Sequence, residues 1–132
     1  MIALDASALV ELVLNTARGH IVSGYVQRSR GAVHAPSFVL IEVASAMRRL
    51  EQRREIDAAR ALMSLDGAQD LGVVMHDPSP WLHHVWALRH TLTSYDACYV
   101  ALAEGLGVPL VTCDARLARS HGHTASIVLA GP

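Results

Sequence analysis

The first eleven residues, MIALDASALVE, place an acid at the point where a strand gives way to a helix. The apolar run Ile2 to Leu4 predicts a short buried strand. Asp5 and Ser7 follow, and both side chains can accept hydrogen bonds from the free N–H groups at a helix start. In an open α/β sheet, ligands bind in the crevice beyond the carboxyl ends of the strands. The sequence therefore predicts Asp5 at a ligand-binding edge of a sheet.

The length of the chain and its apolar segments bound the class of protein. A chain of 132 residues fits one domain, residues 1–132, which can bury a core without disulfides. Although 52% of the residues are hydrophobic, no uninterrupted apolar segment reaches the ~18 to 20 residues that a membrane span needs. No basic region precedes the first apolar run, so no signal peptide is predicted. We therefore expect a cytoplasmic protein with no membrane contact.

The charged residues and the cysteines limit the possible chemistry. The net charge is −1, so there is no global basic signature for nucleic acid. All eleven basic residues are arginine, and the chain contains no lysine. Cys98 and Cys113 lie in a chain without a secretory signal, where two cysteines are more often reduced thiols in the core than a disulfide.

Short apolar segments alternate with helical ones along the whole chain. Strands are predicted at 2–4, 32–35, 71–75, 108–112 and 126–129, and the all-apolar third strand is expected to be buried on both faces. A long helix is predicted to begin at Pro36, with a turn at Asp66-Gly67 and a later helix over 81–92. This alternation predicts a three-layer α/β/α fold with a mainly parallel sheet of four to five strands.

Four acids occupy marked places in this pattern. Asp5 and Asp114 each follow an apolar strand, Asp96 lies in the first turn of a helix, and Glu42 stands alone in an apolar helical stretch. Parallel strands end on the same side of a sheet, and the helices that follow them start on that side. All four carboxylates can therefore converge on one rim.

Each acid also has a purely structural interpretation. Asp5 and Asp114 are good N-caps for the helices that follow them, and Thr93-x-x-Asp96 is a capping box. Glu42 could pair with Arg49 two turns along its helix. Four carboxylates in one place would instead repel one another and need a cation, for which oxygen ligands favour Mg²⁺ or Mn²⁺. Such a centre can activate a water and neutralise charge on a phosphodiester.

The ordered pattern resembles the PIN-domain ribonucleases, and most closely the VapC-type toxins of bacterial VapBC toxin–antitoxin pairs. The motifs that carry the resemblance are Asp5-x-Ser7-Ala8-Leu9, Pro36 with Glu42-Val43, Tyr95-Asp96-Ala97, and Thr112-x-Asp114-x-Arg116-Leu117. They span nearly the whole chain in order. The resemblance implies a metal-dependent endoribonuclease that cleaves structured RNA, typically tRNA or rRNA, and leaves a 3′-hydroxyl and a 5′-phosphate.

The resemblance also assigns roles to individual residues. It makes Asp5, Glu42, Asp96 and Asp114 the catalytic, metal-binding quartet for Mg²⁺, with Mn²⁺ possible. Ser7 and Thr112 become supporting hydroxyls that orient the carboxylates or bind water. It further implies a homodimer and inhibition by a cognate VapB-type antitoxin whose tail covers the cleft.

Basic residues near the predicted cleft are candidates for RNA contact. Arg116, two residues after Asp114, is the best placed of them. The group Arg48, Arg49, Arg53 and Arg54 could bind phosphates, or it could be a solvated helix face paired with nearby glutamates.

Two other classes of function compete with the nuclease. A phosphoryl-transfer domain with an acidic Mg²⁺ site would need a lysine near the phosphoryl group, and this chain has none. A non-catalytic PIN-fold binding module would keep the fold without the chemistry, yet all four acids are present.

Overall fold

The structure is a computed structural model that describes residues 1–131, and Pro132, the last residue of the predicted domain, lies outside the described residues. Its strands are β1 (Ile2–Leu4), β2 (Val33–Pro36), β3 (Val74–His76), β4 (Leu110–Thr112) and β5 (Ile127–Leu129). Its helices are α1 (Ala6–Val13), α2 (Ala17–Arg28), α3 (Val39–Gln52), α4 (Ala58–Asp70), α5 (Leu82–Ala87), α6 (Ser94–Leu106) and α7 (Ala115–Ala118), with one 3₁₀ turn at Ser79–Trp81.

The strands form one five-stranded sheet in the order β3-β2-β1-β4-β5, and every neighbouring pair is parallel. The central strand is β1, in which Ala3 is in register with His34 of β2 and with Leu110 of β4. From β1 the chain first builds outward through β2 and β3, and then crosses to the other side of β1 to form β4 and β5. The order of the strands therefore reverses between β1 and β4, which is the place where an open α/β sheet forms a ligand-binding crevice.

Alternate side chains of the central strands enter two separate hydrophobic clusters. In β1, Ile2 and Leu4 join the cluster that includes Val22 of α2, whereas Ala3 joins the larger cluster that includes Val43 of α3. This alternation follows from the two-residue period of a strand, and it requires apolar helices on both faces of the sheet. The predicted three-layer α/β/α fold with a parallel sheet is confirmed.

Several element boundaries differ from the sequence prediction. Pro36 is the last residue of β2 rather than part of a helix, because a strand end does not need its missing N–H, and α3 begins only at Val39. The predicted turn at Asp66-Gly67 is wrong, since α4 continues to Asp70 with Ala68 buried against the core. The predicted 81–92 helix is limited to α5, and its first residue belongs to the 3₁₀ turn.

The third strand is shorter and more exposed than predicted. It covers Val74–His76 and lies at an edge of the sheet, so Val74 and Met75 are not buried on both faces. An apolar run cannot distinguish an edge strand from a central one. Separately, no helix within residues 1–131 has the length and apolarity to cross a membrane.

Candidate active site

An open cleft of about 660 Å³ lies beyond the carboxyl ends of β1 and β4. All four predicted acids line it, and they arrive from four different elements. Asp5 is the residue between β1 and α1, and Asp114 connects β4 to α7. Glu42 belongs to α3 and Asp96 to α6. We call this space the acidic cleft.

Asp5 is the most buried of the four acids, with 5% of its surface exposed. Its Oδ1 accepts hydrogen bonds from the backbone N–H of Ala8 at 2.9 Å and from the hydroxyl of Ser7 at 2.7 Å. Its Oδ2 accepts a bond from the hydroxyl of Thr112 at 2.6 Å. Asp5 is therefore an N-cap of α1, as one interpretation proposed, and its second oxygen is also fixed from β4.

Ser7 and Thr112 join the ends of β1 and β4 at the bottom of the cleft. Their hydroxyl oxygens are 3.2 Å apart, and each also accepts a backbone N–H from the segment after β4. The N–H of Cys113 donates to Ser7 at 2.9 Å, and that of Asp114 donates to Thr112 at 2.9 Å. Thr112 is fully buried. The two predicted supporting hydroxyls thus tie the backbone that carries Asp114 to the carboxylate of Asp5.

Burial is the main influence on the pKa of Asp5. Loss of solvation raises its pKa to about 6, although the hydrogen bonds from Thr112, Ala8 and Ser7 act in the opposite direction. The nearby charge of Asp96 raises the pKa further. A buried acid whose ionised form is disfavoured, beside other acids, is the electrostatic condition that a bound cation relieves.

Glu42 is half-buried and bonded to a tyrosine on another helix. The hydroxyl of Tyr99, on α6, donates to Oε1 of Glu42 at 2.6 Å. Burial raises the pKa of Glu42, the bond from Tyr99 lowers it, and the charge of Asp96 raises it. Within the described residues Glu42 has no direct ion pair with Arg49, although the charge of Arg49 also lowers the pKa of Glu42, so the pairing considered from the sequence acts only at longer range.

Asp96 is the electrostatic centre of the four acids. Burial is the main cause of its raised pKa, and the charge of Asp114 adds to the rise. Asp96 in turn raises the pKa of both Asp5 and Glu42. Its backbone N–H donates to the Thr93 hydroxyl at 3.2 Å, so Thr93 caps α6 and forms the first half of the predicted capping box. Within residues 1–131 the return bond, from the Thr93 N–H to the Asp96 carboxylate, is not formed.

Asp114 differs from the other three because it has a cation beside it. Its Oδ1 caps α7 by accepting the backbone N–H of Arg116 at 2.8 Å, and its Oδ2 lies 3.3 Å from the Arg116 guanidinium. Burial acts to raise the pKa of Asp114, but the backbone and guanidinium of Arg116 outweigh it and lower the pKa. Arg116 therefore lies at the cleft, where it was predicted, and remains largely exposed.

The chemistry of the lining fits a hard divalent cation. All the metal-binding side chains that line the cleft are carboxylates, with no histidine or cysteine among them. Across residues 1–131, however, no group of three or more His, Cys, Asp and Glu side chains is arranged to hold a metal ion as it stands. Mg²⁺ commonly binds through one or two carboxylates and keeps several waters. Simultaneous ligation by all four acids would therefore require side-chain movement.

Sequence reasoning missed several residues of the cleft. Tyr99 was not predicted as a site residue, although it lies three residues after Asp96 and so one turn along the same helix face. Arg49 was not missed, since the sequence named it as a possible partner of Glu42 and as one of four arginines that could bind phosphates, and it lines the cleft as a second basic residue in addition to Arg116. Besides Tyr99, the large apolar or aromatic side chains at the cleft are Phe38, Ile41 and Tyr95, none of which was predicted there. The sequence signal for Arg49 was its spacing of seven residues, about two turns, from Glu42.

The two cysteines follow the prediction and take no part in the cleft. Both are free and buried. Burial raises the pKa of Cys113 to about 11, which keeps it a neutral thiol in the core.

Comparison with known proteins gives a consistent assignment. Residues 2–121 match the PIN domain family. The chain is 47% identical over 130 residues to Ribonuclease VapC12 of Mycobacterium tuberculosis, covering 98% of each chain. It is 38% identical over 117 residues to Ribonuclease VapC9 of the same species, covering 89% of this chain and 88% of VapC9.

A solved structure shares the architecture. The crystal structure of PAE2754 from Pyrobaculum aerophilum aligns with a TM-score of 0.66 and 28% identity, covering 89% of this chain and 83% of that one. The family match extends over most of the chain and includes all four acids of the cleft. The chain thus belongs to the PIN-domain family and, within it, to the VapC-type ribonucleases of toxin–antitoxin pairs.

Proposed function

We propose that this protein is a Mg²⁺-dependent endoribonuclease that acts as the toxin of a type II toxin–antitoxin system and cleaves structured RNA, tRNA or rRNA. The observation that carries the proposal is the acidic cleft, in which four carboxylates from four elements meet at the switch point of the sheet. Relatives that are named ribonucleases cover nearly the whole chain. A structural role as helix caps accounts for Asp5 and Asp114, but it does not account for Glu42.

The residues that would hold the metal are Asp5, Glu42, Asp96 and Asp114, with Mn²⁺ as a possible substitute for Mg²⁺. A divalent ion bound there would supply a water of lowered pKa and positive charge beside the phosphodiester. The pKa values of Asp5, Glu42 and Asp96 are all raised, mainly by burial and in smaller part by a neighbouring carboxylate, which is Asp96 for the first two and Asp114 for Asp96. This supports the assignment, because a bound cation stabilises the ionised form of such groups.

The protein's own groups would position the acids and the substrate. Ser7 and Thr112 hold Asp5 at the strand ends, and they also hold the backbone that leads to Asp114. Arg116 and Arg49 place two guanidinium groups at a cleft that is otherwise acidic, where they can contact RNA phosphates on either side of the scissile bond. Hydrolysis would leave a 3′-hydroxyl and a 5′-phosphate.

The proposal extends to partners and location. We infer a cognate VapB-type antitoxin that inhibits the enzyme by covering the cleft, and a homodimer as the form in solution. Both inferences rest on membership in the VapC group. The cytoplasm is the location we propose, since the proposed RNA substrates are found there.

The test is cleavage of total RNA by the purified protein, followed by sequencing of the new 5′ ends. We expect discrete cuts with Mg²⁺, none with a chelator, and recovery with Mg²⁺ or Mn²⁺ after chelation. An Asp96→Asn variant purified in parallel controls for contaminating nucleases. Cuts that are identical for the wild type and this variant would refute the assignment.

A binding measurement separates the nuclease from a non-catalytic PIN-fold module. Titration calorimetry with Mg²⁺ should show saturable binding to the wild type and much weaker binding to Asp5→Asn. An inert module would bind no metal and would cut no RNA. Light scattering on the purified chain would show whether it is a dimer.

A further inference from the structure

The mouth of the acidic cleft carries large apolar side chains that remain exposed. Tyr95 is 60% exposed and Ile41 is 70% exposed, and both line the cleft. Each immediately precedes one of the acids, Tyr95 before Asp96 on α6 and Ile41 before Glu42 on α3. Exposed apolar side chains that are contiguous with a functional cleft are typical of contact surfaces.

Tyr95 is exposed, but its position is fixed by other rings. Phe38 packs edge-to-face against Tyr95, with the ring centroids 5.2 Å apart and an interplanar angle of 88°. Phe38 makes the same kind of contact with the buried ring of Tyr99, at 5.7 Å and 89°. Tyr99 in turn is bonded to Glu42. A chain of three rings therefore connects the exposed Tyr95 to a carboxylate of the cleft, and Tyr95 has a defined place relative to the acids.

The cleft-facing residues of α3 change character along the helix. Ile41 is apolar, Glu42 is acidic, and Arg49 is basic and exposed. Eight residues separate Ile41 from Arg49, which corresponds to about 12 Å along a helix axis. A nucleotide has a matching division, with an anionic phosphate at one end and a flat, weakly polar base at the other.

We propose that Tyr95 and Ile41 form a subsite for one unpaired nucleobase next to the scissile phosphate, with Tyr95 as the stacking surface. This inference rests on the proposed ribonuclease function and assigns the residues that hold one base of its substrate. A base inside a duplex is stacked on its neighbours and cannot reach a side-chain ring, whereas a base in a loop or bulge can be splayed out and stacked on tyrosine.

A segment of a protein partner is the alternative occupant of this apolar surface. The nucleobase is favoured because the apolar residues, the acids and the two arginines share one cleft. A base that stacks on Tyr95 is covalently attached to the phosphate that the charged residues face. If the occupant is a nucleobase, loss of the Tyr95 side chain should slow the cleavage of RNA by the free enzyme. If the occupant is a protein segment, it should leave that cleavage unchanged.

The experiment compares the wild type and Tyr95→Ala on an intact RNA and on RNAs that lack one base. The main cut in total RNA is mapped with the wild type, and a synthetic oligonucleotide that spans it is prepared intact and with an abasic ribose on either side of the cut. For Tyr95→Ala we expect a loss of about 5- to 150-fold in kcat/KM on the intact RNA. The wild type should lose a similar factor on one of the two abasic substrates. Tyr95→Ala should lose little more on that substrate, because the stacking contact is already gone.

Two variants make the result specific. Tyr95→Phe keeps the ring and should cleave the intact oligonucleotide at close to the wild-type rate. Trp86→Ala removes another exposed aromatic side chain, 64% exposed and outside the cleft, and should change nothing. Circular dichroism of Tyr95→Ala would establish that its fold is retained.

The possible outcomes distinguish this inference from the proposed function. A wild type that cleaves no RNA sinks both. A wild type that cleaves, together with a Tyr95→Ala variant that cleaves equally well, overturns the subsite alone and assigns the apolar residues to a protein partner. Equal losses for both enzymes on each abasic RNA also overturn it, because the missing base would then not have been in contact with Tyr95.

Discussion

The acidic cleft has a floor and a wall that are built differently. The floor lies at the ends of β1 and β4 and consists of Asp5, Ser7 and Thr112, which bond to one another and to three backbone N–H groups. The wall lies on α3 and α6 and consists of Glu42, Asp96 and Tyr99, in which one side-chain bond, from Tyr99 to Glu42, joins the two helices. The floor carboxylate is buried, whereas both wall carboxylates are half-exposed.

The floor and the wall meet two different requirements of a metal site, one carboxylate that is held in place and others that can move toward the ion. The hydrogen bonds of the floor fix one carboxylate firmly and contribute to the fold as well as to the site. The wall has fewer such bonds, so its acids can move toward a bound ion. No group of three or more metal-binding side chains in residues 1–131 is arranged to hold an ion as it stands, so ligation by three or more of the acids would need that movement. Substitutions in the floor should therefore alter stability, and substitutions in the wall should alter activity.

The largest effect is expected from Asp96→Asn, a change in the wall. Asp96 raises the pKa of Asp5 and of Glu42, so it is the acid that most closely couples the others. We expect RNA cleavage to fall by about 100- to 1,000-fold. Unfolding should change little, because the Asp96 backbone N–H, which bonds to Thr93, remains. The measurement is single-turnover cleavage, with Asp70→Asn, an exposed acid on α4, as the control. A nearly wild-type rate would show that Asp96 is not part of the chemistry.

Asp5→Asn tests the floor through the pH dependence of stability. The pKa of Asp5 is raised from about 4 to about 6 by burial, so the native state binds the proton more tightly than the unfolded state. Ionising Asp5 therefore destabilises the metal-free wild type as pH rises from about 4 to about 6. Asn cannot ionise and keeps an oxygen for the Ala8 N–H. The variant should be similar to the wild type near pH 4 and more stable by up to ~3 kcal/mol near pH 7.5.

Urea unfolding with a chelator, at both pH values, measures this difference. A difference that is constant across the pH range would contradict the raised pKa of Asp5. Added Mg²⁺ should stabilise the wild type and should have little effect on Asp5→Asn, because binding to the native state alone raises stability.

The positions of the floor residues could be predicted because each lies in a short segment where a strand ends, although Ser7 and Thr112 are 105 positions apart. The supporting roles of these two hydroxyls were implied by the family resemblance. A strand that runs into Asp5-x-Ser7, and another that runs into Thr112-x-Asp114, place these residues at strand ends by local pattern alone. The sheet topology then needs only the rule that parallel strands end on one side. The same local reasoning failed for β3, because an apolar run does not reveal how many neighbours a strand will have.

Only part of the wall could be predicted from the sequence. Glu42 and Asp96 were predicted as site acids, but the bond from Tyr99 to Glu42 was not, because it joins residues on two different helices and no local sequence pattern specifies that contact. Such a contact depends on how the helices pack. The apolar mouth formed by Phe38, Ile41 and Tyr95 was missed for the same reason. The sequence pattern does not show whether such an apolar residue packs in the core or lines a cleft.

Thr112→Val makes a smaller change in the floor, with almost no change in volume. The hydroxyl of Thr112 donates to Asp5 and accepts the Asp114 N–H in a fully buried position. Its removal leaves both groups short of a partner, so we expect a loss of about 1 to 3 kcal/mol in stability. The pKa of Asp5 should also rise further, since the bond from Thr112 lowers it. Chemical unfolding measures the loss. Thr91→Val, an exposed threonine with a single 3.3 Å bond to Leu88, should show almost none.

The smallest effect in stability, and the sharpest test of the wall, is expected from Tyr99→Phe. The ring and its packing against Phe38 remain, and only the bond to Glu42 is lost, so stability should fall by about 1 kcal/mol. If Tyr99 is a positioning residue, kcat should fall by about tenfold at an unchanged KM. The acid limb of the rate profile should move to higher pH, because the bond from Tyr99 lowers the pKa of Glu42. Tyr25→Phe, on α2 and outside the cleft, is the matched control. Lower stability of Tyr99→Phe with an unchanged pH profile would show that the Tyr99 hydroxyl stabilises the fold without positioning Glu42. The wall would then resemble the floor, where the hydrogen bonds contribute to stability.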